Sequence, residues 1–184
     1  MGWNLVSLSD IAPHPWLNGG GTTRELVAWP DPAEWRLRLS VAEVAKDGPF
    51  SLYPGVQRWF AVLRGAGVRL SVAGRVHELG KRSPPLNFDG GVPVDCKLIG
   101  SATQDFNLMA RGGPARLTRI ENVMSGTAPS ASVVAVYANG SAAMLRWGFE
   151  YSELQPRTLA WRIADGGTAV RVAAVDALWM EFRP

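Results

Sequence analysis

Trp35-Arg36-Leu37-Arg38-Leu39-Ser40-Val41-Ala42 alternates without a break. Successive side chains of an extended chain point to opposite sides, so Trp35, Leu37, Leu39 and Val41 share one face. Arg36, Arg38, Ser40 and Ala42 share the other. A helix would spread the same residues around its whole circumference, so the stretch is a strand with one apolar face. Its polar face either meets water or lines a cavity, and the residues alone leave both open.

The pattern repeats in both directions. Upstream, Trp3 to Leu8 is strand-like. Pro13, Pro15 and Asn18-Gly19-Gly20-Gly21 then forbid regular structure until Thr22-Thr23-Arg24-Glu25 opens a strand that ends at Pro30-Asp31-Pro32. Downstream come Val56–Leu63, a hairpin over residues 68–79 turning at Ala73-Gly74, and strands at 94–99 and 105–110. Arg111-Gly112-Gly113-Pro114 breaks the chain. Beyond it, Ala115–Met124 alternates and Ser125–Ser130 reads as a polar loop. Ser132–Ala138, Ser141–Phe149, Thr158–Ala164, Thr168–Val175 and Leu178–Phe182 are again short and rich in β-branched or aromatic residues. Asn139-Gly140 reads as a hairpin turn, and Leu145–Leu154 has room for a short helical piece. Many short strands with turn residues between them are the pattern of sandwiches and barrels. The expectation is an all-β protein of two such units, 1–111 and 112–184. The first is richer in polar strand positions; the second is mainly packing.

The 184 residues carry 47% hydrophobic and 19% charged side chains and a net charge of +3, a globular composition. The arginines are scattered singly along strands and Lys46, Lys81 and Lys97 are the only lysines, so no nucleic-acid partner is expected. Cys96 is the one cysteine; it forms no intrachain disulfide and reads as a buried strand thiol. There is no secretion-type opening and no apolar run near the ~20 residues of a membrane span, so the expectation is a cytoplasmic protein with no membrane partner.

The chemistry available is narrow. His14 and His77 are the only histidines, with no His-x-His pair and no Cys/His cluster, so neither metal nor cofactor is expected. No Gly-x-Ser-x-Gly elbow is present. What remains is a binding set near turns and on polar strand faces: Asn18, Thr23, Arg24, Arg38, Ser40, Arg58, Asp105, Asn107 and Arg111, with Phe50 and Phe88 as apolar wall. The arginine fork bonds both oxygens of a carboxylate, and asparagine complements an amide or formyl group. Arg58 shares a face with Val56, Phe60 and Val62. A charge there needs a partner, either an ion pair of the chain's own or a ligand.

Five blocks, in order, resemble the HutD/Ves family: Trp16-Leu17-Asn18-Gly19-Gly20-Gly21-Thr22-Thr23-Arg24-Glu25, Trp35–Ala42, Asp47-Gly48-Pro49-Phe50-Ser51, Pro54-Gly55-Val56-Gln57-Arg58 and Asp105-Phe106-Asn107-Leu108-Met109. The resemblance implies a bicupin, two cupin-type β-barrels or jelly rolls in one chain, often paired as a homodimer. It further implies a regulatory or accessory binder of a small organic acid of bacterial histidine utilisation, such as N-formylglutamate or urocanate. The chain lacks the His-x-His…Glu…His set of metal-bearing cupins, so the expected binding is metal-free. Two other readings stand beside it. One is a metal-free isomerase or hydrolase with Asp105 or Glu25 as base and His77 as acid. The other is a protein-docking module presenting Trp147, Phe149, Tyr151, Trp161 and Trp179.

Overall fold

The computed structural model describes residues 2–184. In chain order the strands are β1 (Asn4–Ser7), β2 (His14–Pro15), β3 (Gly21–Trp29), β4 (Leu37–Val44), β5 (Gly48–Pro49), β6 (Gln57–Arg64), β7 (Val68–Val72), β8 (Arg75–Leu79), β9 (Leu86–Asp89), β10 (Val94–Leu98) and β11 (Thr103–Ala110). Then follow β12 (Ala115–Ile120), β13 (Val123–Thr127), β14 (Ser132–Ala138), β15 (Ala143–Trp147), β16 (Glu150–Leu154), β17 (Thr158–Ala164), β18 (Ala169–Ala174) and β19 (Ala177–Phe182). A short 3-10 turn at Leu8–Asp10 is the one helical element among the described residues. None is long and apolar enough to cross a membrane.

The chain forms two compact units. One is Ile11–Gly112; the other joins the residues up to Asp10 to Gly113–Pro184. The first strand therefore lies with the second half of the chain, because β1 pairs with β17 from Asn4 opposite Trp161 to Ser7 opposite Thr158.

In the Ile11–Gly112 unit a six-stranded sheet, β2-β3-β4-β11-β6-β9, accompanies a four-stranded one, β5-β10-β7-β8, all antiparallel. Side chains from both sheets, among them Val44, Phe60, Val62, Leu70, Phe88, Val94 and Cys96, make one apolar core. The β7–β8 hairpin turns through Ala73 and Gly74, both at positive φ, the geometry whose twist matches flanking strands.

The other unit repeats the scheme with a five-stranded sheet, β1-β17-β14-β19-β12, and a four-stranded one, β13-β18-β15-β16. Val134, Val136, Leu145, Leu154, Val172 and Trp179 are in its core, and Trp3 packs against it. Two local expectations change here. Residues 145–154 hold no helix: β15 and β16 form a hairpin, and Gly148 takes a positive φ at its turn. Residues 123–127 are strand β13, paired to β18, rather than loop. Asn139 closes no hairpin either, since β14 and β15 belong to different sheets. It is buried instead, and its amide donates to Asp176 Oδ2 at 2.6 Å.

Candidate functional site

Strand register builds the site. β4 lies between β3 and β11, and β11 lies between β4 and β6. Cross-strand neighbours share a face, so each rung of the sheet brings together residues far apart in sequence. One rung reads Ala28–Arg38–Met109–Arg58–Phe88, and the next Glu25–Ser40–Asn107–Phe60–Leu86. The polar face of the opening stretch, with Arg38, Ser40, Ala42 and Val44, lines a cavity of about 370 Å³. The choice the sequence left open is resolved: that face borders a hollow. A hollow of this size suits a small metabolite.

Strand β2, the loop from Trp16 to Asn18 and the segment from Pro49 to Tyr53 complete the wall. Two glycine properties shape that loop. Gly19 sits at φ +66, and a Cβ on Gly21 would lie 2.1 Å from the Glu43 carbonyl oxygen, so strand β3 approaches β4 closely only with glycine there. The Trp16 amide donates to the Gly21 carbonyl at 2.9 Å, and the Trp16 indole Nε1 donates to Thr23 Oγ1 at 2.7 Å. The Trp16 ring meets Phe50 edge-on at 6.2 Å.

Arg58 is 5% exposed. Its Nη1 donates to the Ser51 carbonyl at 3.3 Å and its Nη2 to Asn107 Oδ1 at 3.1 Å. The guanidinium carbon lies 5.2 Å from the ring centre of Phe88, 5.4 Å from Phe50 and 5.7 Å from Tyr53. Its Nε is buried without a hydrogen bond, and among the described residues no carboxylate reaches it. Burial pushes its pKa down to about 10, with the Tyr53 hydroxyl opposing the drop, so it remains a cation at neutral pH. Arg38 differs: it forms an ion pair with Glu25 through Nε and Oε2.

Of the residues singled out from the sequence, Asn18, Thr23, Arg38, Ser40, Phe50, Arg58 and Asn107 line this one cavity. Arg24, Phe88 and Asp105 do not. Arg24 is on the opposite face of β3 from Thr23, and its Nε donates to the Ile11 carbonyl at 3.0 Å. Phe88 is packed in the core and touches the site only through the Arg58 guanidinium. Asp105 is fully buried away from the cavity wall; its Oδ2 accepts from Thr103 Oγ1 at 2.7 Å while Oδ1 has no hydrogen bond. Burial raises its pKa to about 7, against the Thr103 bond, which lowers it. Arg111 lies over the Trp35 ring at 4.8 Å, outside the cavity. The lining residues His14, Trp16, Tyr53 and Met109 were not singled out as ligand contacts. Met109 was legible, since it shares the β11 face of Asn107.

The asparagines are not arranged as expected. Asn18 Oδ1 accepts from the Gly20 amide at 2.9 Å, and Asn107 Oδ1 accepts from Arg58. Each oxygen is turned to the protein, leaving the amide nitrogen, a pure donor. Thr23 likewise accepts from Trp16, which leaves its hydroxyl proton to give. Donors and a desolvated cation in an aromatic-walled hollow complement an anion with oxygen acceptors.

The chain matches the HutD family model over residues 8–180. A protein in the hutC 3′ region of Pseudomonas putida is 36% identical over 144 residues, covering 74% of each chain. The chain belongs to the HutD family. Among solved structures, HutD from Pseudomonas fluorescens SBW25, in a formate condition, superposes with a TM-score of 0.84 at 26% identity and covers 98% of both chains. A variant of Bacillus subtilis oxalate decarboxylase superposes at a TM-score of 0.63 with 10% identity, covering 97% of this chain and 76% of that one. That likeness shows the fold alone, and the fold is cupin-type and all-β. The residues present do not suit a cupin metal: among the described residues no three His, Cys, Asp or Glu side chains gather as a ligand set. His14 is at the cavity, whereas His77 is on β8, opposite Leu70.

Proposed function

We propose that this HutD-family protein binds a small organic acid in the cavity of the Ile11–Gly112 unit, and that it serves bacterial histidine utilisation in a regulatory or accessory role, as a cytoplasmic homodimer. N-formylglutamate and urocanate are the carboxylates of that pathway to test first. The names of its relatives, HutD and a hutC-region protein, support the pathway.

One observation carries the binding reading. Arg58 is a buried guanidinium that, among the described residues, no carboxylate of the chain's own pairs. An isolated buried cation is costly, and a bound anion removes that cost while gaining charge-assisted bonds of roughly 1.5–3 kcal/mol each. Turnover has less support: Glu25 is engaged by Arg38, and Asp105 is off the cavity wall. The protein-docking reading loses its surface in part, since Trp147 and Trp179 are buried in the core and only Phe149 and Tyr151 of that set are exposed.

The test is calorimetric titration of the folded protein with urocanate and N-formylglutamate. Binding of either at millimolar concentration or tighter, weakened about 10- to 100-fold in Arg58→Met, is the expected result. No heat from either acid, with the circular dichroism of a folded all-β protein, overturns the reading.

A further inference from the structure

The two arginines of the cavity are electrostatically unlike. Arg58 has neutral oxygens and rings around it. Arg38 has Glu25, which is opposite Ser40 in the β3–β4 ladder and so on the cavity face of the sheet. Both members of that pair are about one quarter to one third exposed, so they form the rim while Arg58 is the depth. We infer that Glu25 sets the charge the cavity accepts: by neutralising Arg38 it leaves one uncompensated cation, and the site selects singly charged carboxylates over dicarboxylates. The inference rests on the anion-binding reading above, and of the two acids named there it favours urocanate, with one carboxylate, over N-formylglutamate, which carries two.

The physics is a count of charges in a confined space. A first carboxylate at Arg58 meets a guanidinium that the fold has already desolvated, so little further hydration is lost from the protein. A second carboxylate on the same small molecule has only Arg38 left to meet. There it approaches Glu25, and like charges within a few ångströms in a poorly hydrated site repel strongly. To be accommodated it must displace Glu25 from Arg38. Among the described lining residues the one further side chain able to carry positive charge is His14, an exposed imidazole, since Arg24 and Arg111 are outside the cavity. Much of the other lining, including Pro15, Trp16, Phe50, Tyr53 and Met109, is apolar or aromatic and receives an uncharged body. Glu25 thus acts as a specificity-determining residue without lining the cavity itself.

The experiment uses matched five-carbon acids, pentanoate and glutarate, titrated into the full chain at pH 7.5, alongside urocanate. Wild type is expected to bind the monoanions at least about tenfold more tightly than glutarate, the scale on which like-charge juxtaposition discriminates. Glu25→Gln frees Arg38 and is expected to shrink or invert that ratio through tighter glutarate binding, with pentanoate little changed. The double variant Glu25→Gln/Arg38→Gln is expected to restore the preference for monoanions. It also decides the matter if the single variant does not fold, since it strands no charge. Glutarate binding as tightly as pentanoate in wild type, or a ratio unmoved by both variants, overturns the selectivity while leaving anion binding intact. Absence of binding by all three acids and by N-formylglutamate overturns both readings together.

Discussion

Each of the two units holds an arginine among aromatic rings, and they complete the charge differently. In the second, Arg162 lies 4.5 Å from the Trp147 ring centre and 5.4 Å from Trp3, and Glu150 comes within 3.8 Å. In the first, Arg58 has three rings and, among the described residues, no acid paired to it. Two acids, one half-buried and one fully buried, diverge the same way. Asp176 of the second unit accepts from Asn139 at 2.6 Å and from Arg119 at 3.5 Å, whereas Asp105 of the first leaves Oδ1 without a hydrogen bond. In the second barrel Arg162 and Asp176 each have a partner of opposite charge. Among the described residues, the first leaves Arg58 and Asp105 without one, and Arg58 borders a cavity. A fold repeated in one chain thereby supplies its own control: under the proposed function, the ring-caged cation with an acid beside it is structural and the one without is the binding group.

The largest expected effect tests the uncompensated acid. The folded pKa of Asp105, about 7, lies above its ordinary 3.8, so the protonated form is favoured by folding. The associated stability is complete below pH 3.8 and is lost as pH rises through 7. Each pH unit in that interval is worth about 1.4 kcal/mol, so wild type is expected to lose roughly 2–3 kcal/mol between pH 5 and 8. Asp105→Asn keeps an acceptor for Thr103 and carries no charge, so its urea midpoint should vary less over that range and exceed wild type at pH 8. Parallel curves for the two proteins would show that Asp105 is compensated after all.

Next is Arg58→Met. Affinity for the organic acid should fall by about 10- to 100-fold, the value of one charge-assisted contact. Stability should hold or rise, because replacing a buried charge with an apolar side chain of similar volume is often neutral or favourable. A large stability loss with unchanged binding would make Arg58 the structural residue. Met109→Glu sharpens the comparison from the other direction. Met109 is opposite both Arg38 and Arg58 in the ladders and lines the cavity, so an acid there gives the first barrel the internal partner that Arg162 already has. It should weaken organic-acid binding about tenfold or more, read by the same calorimetry, without unfolding the chain.

The legible and hidden parts of this site divide along one physical line. Alternation in residues 35–42 is a local property, and it placed Arg38 and Ser40 on one face correctly. The conflict at Arg58, a cation among Val56, Phe60 and Val62, was visible because burial of an apolar strand face is nearly certain. The alternation of β3 also carries information that bears on Arg24: with Thr23 on the cavity side, Arg24 must face away. Asp105 and Asn107 share a face, and their separate fates depend on depth along β11, which only the long-range register to β4 and β6 decides. The wall from His14 to Leu17 was hidden because a two-residue strand beside prolines and the loop after it have no period from which to read a direction. The Leu145–Leu154 hairpin was missed because five-residue strands are too short to exclude a helical turn by pattern alone.

The smallest effect concerns the control itself. Arg162→Met removes the guanidinium from between Trp3 and Trp147 and from its contact with Glu150. Cation–π contacts at partly desolvated sites contribute about 0.5–2 kcal/mol, so the urea-derived stability should drop by about 1 kcal/mol. Glu150→Gln should cost less, under about 0.5 kcal/mol, because Glu150 is 68% exposed and its pairing distance is long. Neither change should alter the affinity for the organic acid by more than about twofold, since a site in one barrel should be insensitive to charge deep within the other. If Arg162→Met weakens binding as much as Arg58→Met does, the two caged arginines are equivalent in function. The distinction between a compensated and an uncompensated cation would then have to be replaced by a site in each barrel.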